Sequence, residues 1–561
     1  MTTESAAMSM LRSLGSYGVE YLFGNFGTDH PTFLEAAAAL RQEDTAAIPT
    51  FVTCPHETLA LSAAHGYAVS TNKPQAVLVH VDVGTQNLGA MVHNAHRGDA
   101  PVYIIAGLAP ITNDGHPASR NSVVHYLQDV YDQPGIVREY CRWTAEYQTP
   151  ADPDEFIARG LALATTPPAG PVYLTATREA LEDPVEASIG KRQARGPSPI
   201  VPDAATIEQL VSLVREAERP LVITSKLGNH NPVESVASLQ RFVECTGAGV
   251  VETYPASLNF PRTHEQHVGY DAASAAELAD LIILADVDVP WVPRDVSISN
   301  DTTILHLDAT PAKETYPQWD FPIDLALPVD AAQTLDRVVD HLNKTNSGDG
   351  AWADYAASVR STWEEELTAQ QKAERLTPSV LSAALGEVIT DTTILVNEAT
   401  TSNLSVLCHT GLDRPGSYFY SHGSGLGWAP GAAVGVKFAH PDSTVISLVG
   451  DGSYTFANPT ATAWVQAAYE QPTLTIIYNN SGWNAVRSSA LKVHPDGDAA
   501  SEDIPESKFT PRMELSHAAN VVDAHTETVT AATSLEVALS DALNAVDNGT
   551  PAVLDVHLEA I

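Results

Sequence analysis

The chain has 561 residues, 44% of them hydrophobic, and lacks any uninterrupted apolar run of the roughly 20 residues that a membrane helix needs. Thirty Lys and Arg against 69 Asp and Glu leave a net charge of −39, spread along the chain rather than gathered in a tail. That balance excludes nucleic acid and anionic membranes as partners, since both are held through basic residues. It also points to a halophilic protein, because high salt screens the self-repulsion. Cys54, Cys141, Cys245 and Cys408 show no metal-ligand spacing, which argues against structural zinc and a disulfide framework. The opening "MTTESAAMSMLRSLGSYG" has no basic start followed by an apolar core, so the cytoplasm is the expected location.

A chain of this length divides into several cores. Two polar breaks, "LEDPVEASIGKRQARGPSPIVPD" near 181–203 and "NKTNSGDGA" at 343–351, predict domains over 1–182, 200–342 and 352–561. In the first, the strand-like runs "AAIPTFV", "QAVLVHV" and "PVYIIAG" alternate with the helical "HETLALSAAHGYAVS" and "QNLGAMVHNAHRG". The second contains "RPLVITS", "GAGVVET", "LADLIILADV" and "TTILHLD"; the third contains "TTILVNEA", "STVISLVG", "PTLTIIYNN" and "PAVLDVHL". Short β-branched runs alternating with alanine-rich segments predict three consecutive α/β domains with parallel sheets.

The third block holds the clearest chemistry. Gly450-Asp451-Gly452 follows one strand-like run and Asn479-Asn480 follows the next, with the helical "NPTATAWVQAAYEQ" between them. In a β-α-β unit both polar ends lie at the carboxyl ends of neighbouring strands, where open α/β sheets bind ligands. Gly450 and Gly452 let the backbone turn and approach a ligand. Asp451 and Asn480 offer hard oxygens that suit Mg²⁺, and a helix start suits phosphate. Each end alone reads as an ordinary turn; the pair predicts a magnesium-diphosphate site.

Gly-Asp-Gly followed by Asn-Asn resembles the motif of thiamine diphosphate-dependent enzymes, with 29 residues from Asp451 to Asn480. The resemblance runs over nearly the whole chain, to the branch of acetolactate synthases and benzoylformate decarboxylase. "GVEYLFGNFGTDH", "TCPHETLALSAAHGYAVST" and "LVHVDVGTQNLGAMVHNAHRGDAPV" resemble the pyrimidine-binding domain. "NEATTS" and "PGSYFYSHGSGLGWAPGAAVGV" resemble the diphosphate side. The central domain is then Rossmann-like. The resemblance implies that Glu57 hydrogen-bonds the pyrimidine and promotes loss of the thiazolium C2 proton. It implies Asp451, Asn480 and the Gly482 carbonyl as Mg²⁺ ligands, and Thr400, Thr401, Gly452 and Ser453 as diphosphate contacts. Leu426 would prop the bent cofactor, and the Ser424 carbonyl would accept from its amino group.

For substrate chemistry, His80 matches an active-site histidine of benzoylformate decarboxylase, suited to proton transfer near neutrality. Thr28 stands where that enzyme carries a serine. His422 lines a substrate pocket or lies on the surface; both readings stay open. The resemblance to acetolactate synthases leaves FAD possible in the central domain, but residues 204–342 contain no Gly-x-Gly-x-x-Gly and the sequence gives FAD no support. Trp291 reads as packing or as a ligand-facing loop. "SGWNAVRSSALKVHPDGDAASEDIPESKFTP" is expected to cover the active site. The implied activity is decarboxylation or carboligation of a small 2-oxo acid. The alternatives are a 2-hydroxyacyl-CoA-type lyase, disfavoured by sparse basic residues in the central block, and a non-catalytic subunit, disfavoured by the intact Glu57, Asp451 and Asn480. The resemblance further implies a homodimer or homotetramer with active sites shared between subunits.

Overall fold

The computed structural model of the protein describes residues 3–43, 47–149, 151–186, 190, 192, 194–342 and 351–559. The second predicted break, at 343–351, falls almost wholly outside the described residues, and part of the first does too.

Three six-stranded sheets follow one another, parallel throughout. The first has the spatial order Thr50–Thr53, Tyr21–Gly24, Gln75–Val79, Val102–Leu108, Val172–Thr177, Trp143–Tyr147. The central one runs His267–Gly269, Gly249–Glu252, Pro220–Thr224, Leu281–Ala285, Thr303–Asp308, Leu325–Pro328. The third runs Tyr418–Tyr420, Thr393–Glu398, Thr444–Gly450, Leu474–Asn479, Ala552–His557, His525–Val529. The inner strands Leu281–Ala285 and Leu474–Asn479 are buried along their whole length, as continuous apolar runs between two helical layers should be. Among the described residues no helix is long and apolar enough to cross a membrane.

The helix Glu57–Thr71 starts at His56, whose Nδ1 accepts from the Thr58 N–H at 3.2 Å, and stops at the left-handed Asn72. Its alanines, serine and glycine leave it buried on nearly every side. It packs on the helix Ala429–Ala439 of the third domain, and small residues set the distance. A Cβ on Gly66 would collide with the Ala432 carbonyl oxygen, and one on Gly435 with that of Ala63. Gly435→Val should therefore destabilise the fold by at least the roughly 1–3 kcal/mol of ordinary overpacking, read by denaturant unfolding. Wild-type stability in that variant would contradict this packing.

The helix Ala351–Lys372, assigned above to the third domain, packs on the central sheet instead. Trp352 is buried with Val251, Val268 and Ile304, and Trp363 stacks on Tyr270 with ring centres 5.8 Å apart. Trp291 is likewise a packing residue, edge-on to Phe321.

Candidate active site

Three neighbouring strands of the first sheet end together. Asn25 follows Tyr21–Gly24, His80 follows Gln75–Val79, and Glu57 opens its helix shortly after Thr50–Thr53. Glu57 is buried, with one carboxylate oxygen accepting from Asn25 Nδ2 at 3.0 Å and the other from Asn87 Nδ2 at 3.2 Å. Gly84 fits between Glu57 and His80: a Cβ there would stand 3.0 Å from Glu57 Oε1 and 3.4 Å from His80 Cβ.

His80 is held at both ring nitrogens. Nδ1 lies 2.5 Å from Asp29 Oδ1, and Nε2 lies 2.9 Å from Gln128 Oε1. The other Asp29 oxygen accepts from the Val81 N–H at 3.1 Å and lies 3.2 Å from His30 Nε2. Burial disfavours charge on both partners, but the pairing wins: Asp29 is held well below the usual carboxylate range, and His80 is raised above its ordinary value. Stability tied to His80 is therefore present below its ordinary value and lost as pH rises through the raised one. Stability tied to Asp29 is present above the ordinary carboxylate value and lost as pH falls through the depressed one. The stabilisation by the pair is fully present between about pH 4 and 6.5 and declines outside that window. Thr28 is exposed on the same loop, beside Gly27, which rests on the His80 ring.

In the third sheet four neighbouring strands end together. Glu398 ends Thr393–Glu398, with Thr400 and Thr401 directly after it. The turn 421–428 follows Tyr418–Tyr420, Asp451 follows Thr444–Gly450, and Asn480 follows Leu474–Asn479. The expected β-α-β unit is present, and Gly450 N-caps a short helix beginning at Asp451. The Asp451 carboxylate accepts from the Gly452 N–H at 2.8 Å and the Gly482 N–H at 3.0 Å. Burial raises its proton affinity despite these bonds, so a cation beside it would relieve a real electrostatic cost. Asn480 Oδ1 is buried without a partner among the described residues. An orphaned amide oxygen and a buried carboxylate fit a hard cation such as Mg²⁺. The Trp483 ring fills the space where a side chain on Gly452 would lie. Residues 481–483 are zipped to 507–509 by Trp483 N–H to Ser507 O at 2.7 Å and Phe509 N–H to Ser481 O at 2.8 Å, so the segment expected to cover the site folds back over the Asn480 end.

The turn 421–428 is bent through left-handed His422, Ser424 and Gly427. Two side chains that sequence reading missed hold it. Asn94 of the first domain brackets Gly425, accepting from its N–H and donating to its carbonyl, both at 2.8 Å. Glu398 is fully buried and accepts from the N–H groups of Gly427 at 2.6 Å and Ala429 at 2.7 Å. Burial pushes its carboxyl up to about 7, against the pull of those N–H donors and of Ser453. One carboxyl thus joins the "NEATTS" loop, the Ser424–Leu426 turn and the start of the Asp451 helix. His422 is not a surface histidine: its side chain is buried, with Nε2 3.3 Å from Asp288 of the central domain.

Family models for the N-terminal, central and C-terminal domains of thiamine pyrophosphate enzymes match residues 4–136, 207–338 and 398–556. The chain belongs to the thiamine pyrophosphate enzyme family. Among its relatives, benzoylformate decarboxylase of Pseudomonas aeruginosa is 24% identical over 523 residues, covering 91% of each chain. The acetolactate synthase large subunit of Corynebacterium glutamicum is also 24% identical, over 86% of this chain and 76% of that protein. The fold is shared with a thiamine diphosphate-dependent 4-hydroxybenzoylformate decarboxylase of Rhodococcus jostii RHA1, with TM-score 0.81 and 21% identity over the whole of both chains. Within this thiamine pyrophosphate enzyme, Asn25 and Asp29 lie in a loop already marked by "GNFGTDH". Asn94 likewise lies in the quoted "LVHVDVGTQNLGAMVHNAHRGDAPV", whereas Gln128 carries no comparable local signal.

Proposed function

We propose that the protein is a thiamine diphosphate- and Mg²⁺-dependent enzyme that decarboxylates a small 2-oxo acid, or transfers the resulting acyl unit to a second carbonyl, in a salt-rich cytoplasm. The observation that carries this reading is the orphaned Asn480 oxygen beside the buried Asp451 carboxylate, opposite in function to the Glu57–His80 cluster of the first domain. The bound cofactor would supply the thiazolium carbon that stores the electron pair left by decarboxylation.

The chain's own residues do the rest. Asp451, Asn480 and the Gly482 carbonyl would hold the metal, with Thr400, Thr401 and Ser453 near the diphosphate. Leu426 and the Ser424 carbonyl, fixed in place by Glu398 and Asn94, would support the pyrimidine end. Glu57, clasped by Asn25 and Asn87, would meet the pyrimidine ring. His80 holds a proton at Nε2, where Gln128 meets it, because Asp29 stabilises the imidazolium from the other side. Thr28 offers a hydroxyl on the same face.

Both half-sites are rimmed by exposed apolar side chains. Ile111, Val123, Tyr126, Leu127, Val130 and Tyr131 are exposed along the 111–131 stretch that carries Gln128, while Leu404, Phe456 and Val486 follow Thr401, Asp451 and Asn480 in the chain. Such patches favour burial against another chain. They support a homodimer or dimer of dimers in which one copy's first domain faces its partner's third.

Asp29→Asn should shift the His80 limb of the pH–rate profile down, since removing an anion favours the neutral imidazole. An unshifted profile would detach Asp29 from His80. The reading as a whole is tested by incubating the protein in molar salt with thiamine diphosphate, Mg²⁺ and a panel of 2-oxo acids. CO₂ release that needs both additions supports it. No CO₂ and no new carbon–carbon product across the panel overturns it.

A further inference from the structure

At the carboxyl edge of the central sheet, the ends of Pro220–Thr224, Leu281–Ala285 and Thr303–Asp308 face a cavity of about 350 Å³. This is where a doubly wound sheet receives a nucleotide. A diphosphate there needs free backbone N–H groups in the first strand-to-helix turn and an open helix N-terminus.

The N–H groups of the turn are not free. The Ser225 and Lys226 N–H groups both donate to the Asp286 carbonyl, at 3.4 and 2.9 Å. Those of Leu227 and Gly228 donate to Thr224 Oγ1 at 3.4 Å and Asn259 Oδ1 at 2.9 Å, and that of Asn229 to the Lys226 carbonyl at 2.8 Å. The following helix opens on Pro232, which offers no N–H at the first position, while its N-cap Asn231 makes no side-chain bond; in the turn itself a Cβ on Gly228 would collide with the Leu258 carbonyl oxygen.

The two buried lysines are spent as well. Lys226 Nζ lies 2.6 Å from Asp288, 3.0 Å from Asp99 and 2.6 Å from the Arg97 carbonyl. Lys313 Nζ lies 2.8 Å from Asp288 and 2.6 Å from Asp308. Lys226, Lys313, Asp288 and Asp308 are each more than nine-tenths buried. The Arg97 guanidinium lies over the Tyr316 ring at 3.9 Å. Asp286, left-handed at φ 47°, lines the same cavity without a cation of its own among the described residues, and its carboxyl is raised by burial and by Asp308 and Asp330. An incoming diphosphate would meet four aspartates and two lysines already neutralised, with Arg97 and Arg142 as the guanidiniums that remain, the first held over Tyr316 and the second on the Pro168 carbonyl.

We propose that this crevice is an ionic clamp joining all three domains, and that it excludes the nucleotide portion of a flavin or of coenzyme A. Arg97 and Asp99 come from the first domain, Lys226, Asp288 and Lys313 from the central one. His422, on Asp288, belongs to the third and lies two residues before Ser424. The inference deepens the proposed function by confining it to substrates that carry no coenzyme A and to chemistry without flavin, and it rests on that reading only to this extent.

The full chain is titrated by calorimetry with FAD, ADP and coenzyme A, with thiamine diphosphate and Mg²⁺ in the same series. None of the three nucleotides should saturate below ~1 mM, while thiamine diphosphate should bind. Saturable micromolar binding of any of the three overturns the exclusion. Failure of thiamine diphosphate alone overturns the functional reading and leaves the exclusion standing. For the clamp, Asp288→Asn removes the carboxylate that both lysines share, leaving Lys226 with Asp99 alone and Lys313 with Asp308 alone, and should lower Tm by about 5 °C or more. If that variant does not fold, Lys313→Gln, which leaves the Lys226–Asp288 pair in place, should show a smaller fall. An unchanged Tm in the variant measured overturns the clamp.

Discussion

Asp451→Ala should abolish retention of thiamine diphosphate while the chain stays folded. The carboxylate accepts two backbone N–H bonds, and burial raises its proton affinity, so nothing protein-borne neutralises it fully. A metal ion would. Groups that merely support a metal ligand are worth roughly 10–100-fold in metal affinity, and a ligand itself should exceed ~10²-fold. Wild-type binding should likewise weaken as pH falls through the raised Asp451 value, because only the ionised carboxylate ligates. Equilibrium dialysis of the cofactor against wild type and variant, with circular dichroism to verify folding, reads the effect. Undiminished retention would remove Asp451 from the metal site.

Glu57→Gln should leave the cofactor bound and slow exchange of its C2 proton beyond the roughly 10²–10⁴-fold usual for one positioned acid or base. The substitution keeps size and a carbonyl that accepts from Asn25 or Asn87, and removes the acid together with one of those two bonds. Exchange at the wild-type rate would return Glu57 to a helix-start acid that suits the helix dipole. The same variant tests the shared site. Mixed with Asp451→Ala subunits, it should recover part of the activity, since one of the two sites in a mixed dimer would receive both native residues. No recovery after verified subunit exchange would contradict sharing.

The sheets were legible because their strands are short β-branched runs between alanine-rich helices, and the Gly450–Asn480 unit appears at the predicted strand ends. The three-residue strand Tyr418–Tyr420 is too short to announce itself. The packing of Trp352 on the central sheet depends on where a long helix lands, which polar composition around residue 345 does not encode. Glu57, Asp451 and Asn480 were readable from motif spacing. Their supports were not: Asn94 and Gly425 are 331 residues apart in sequence, and Asp29 and His80 are 51. Such pairs become visible only when parallel strands bring their ends to one edge. Glu398 was quoted within a loop expected to meet diphosphate, yet its carboxyl turns inward to hold Gly427 and Ala429. His422 left two readings open because its partner, Asp288, belongs to another domain.

The central claim is that a hard cation at Asp451 and Asn480 fixes a diphosphate to the third domain. The most direct measurement is a calorimetric titration of the metal-stripped wild-type protein with thiamine diphosphate, with and without Mg²⁺, in molar salt. The account predicts saturable binding with Mg²⁺ and a loss of ~10²-fold or more in affinity without it. Equal affinity in the two titrations, or no binding in either, would contradict it.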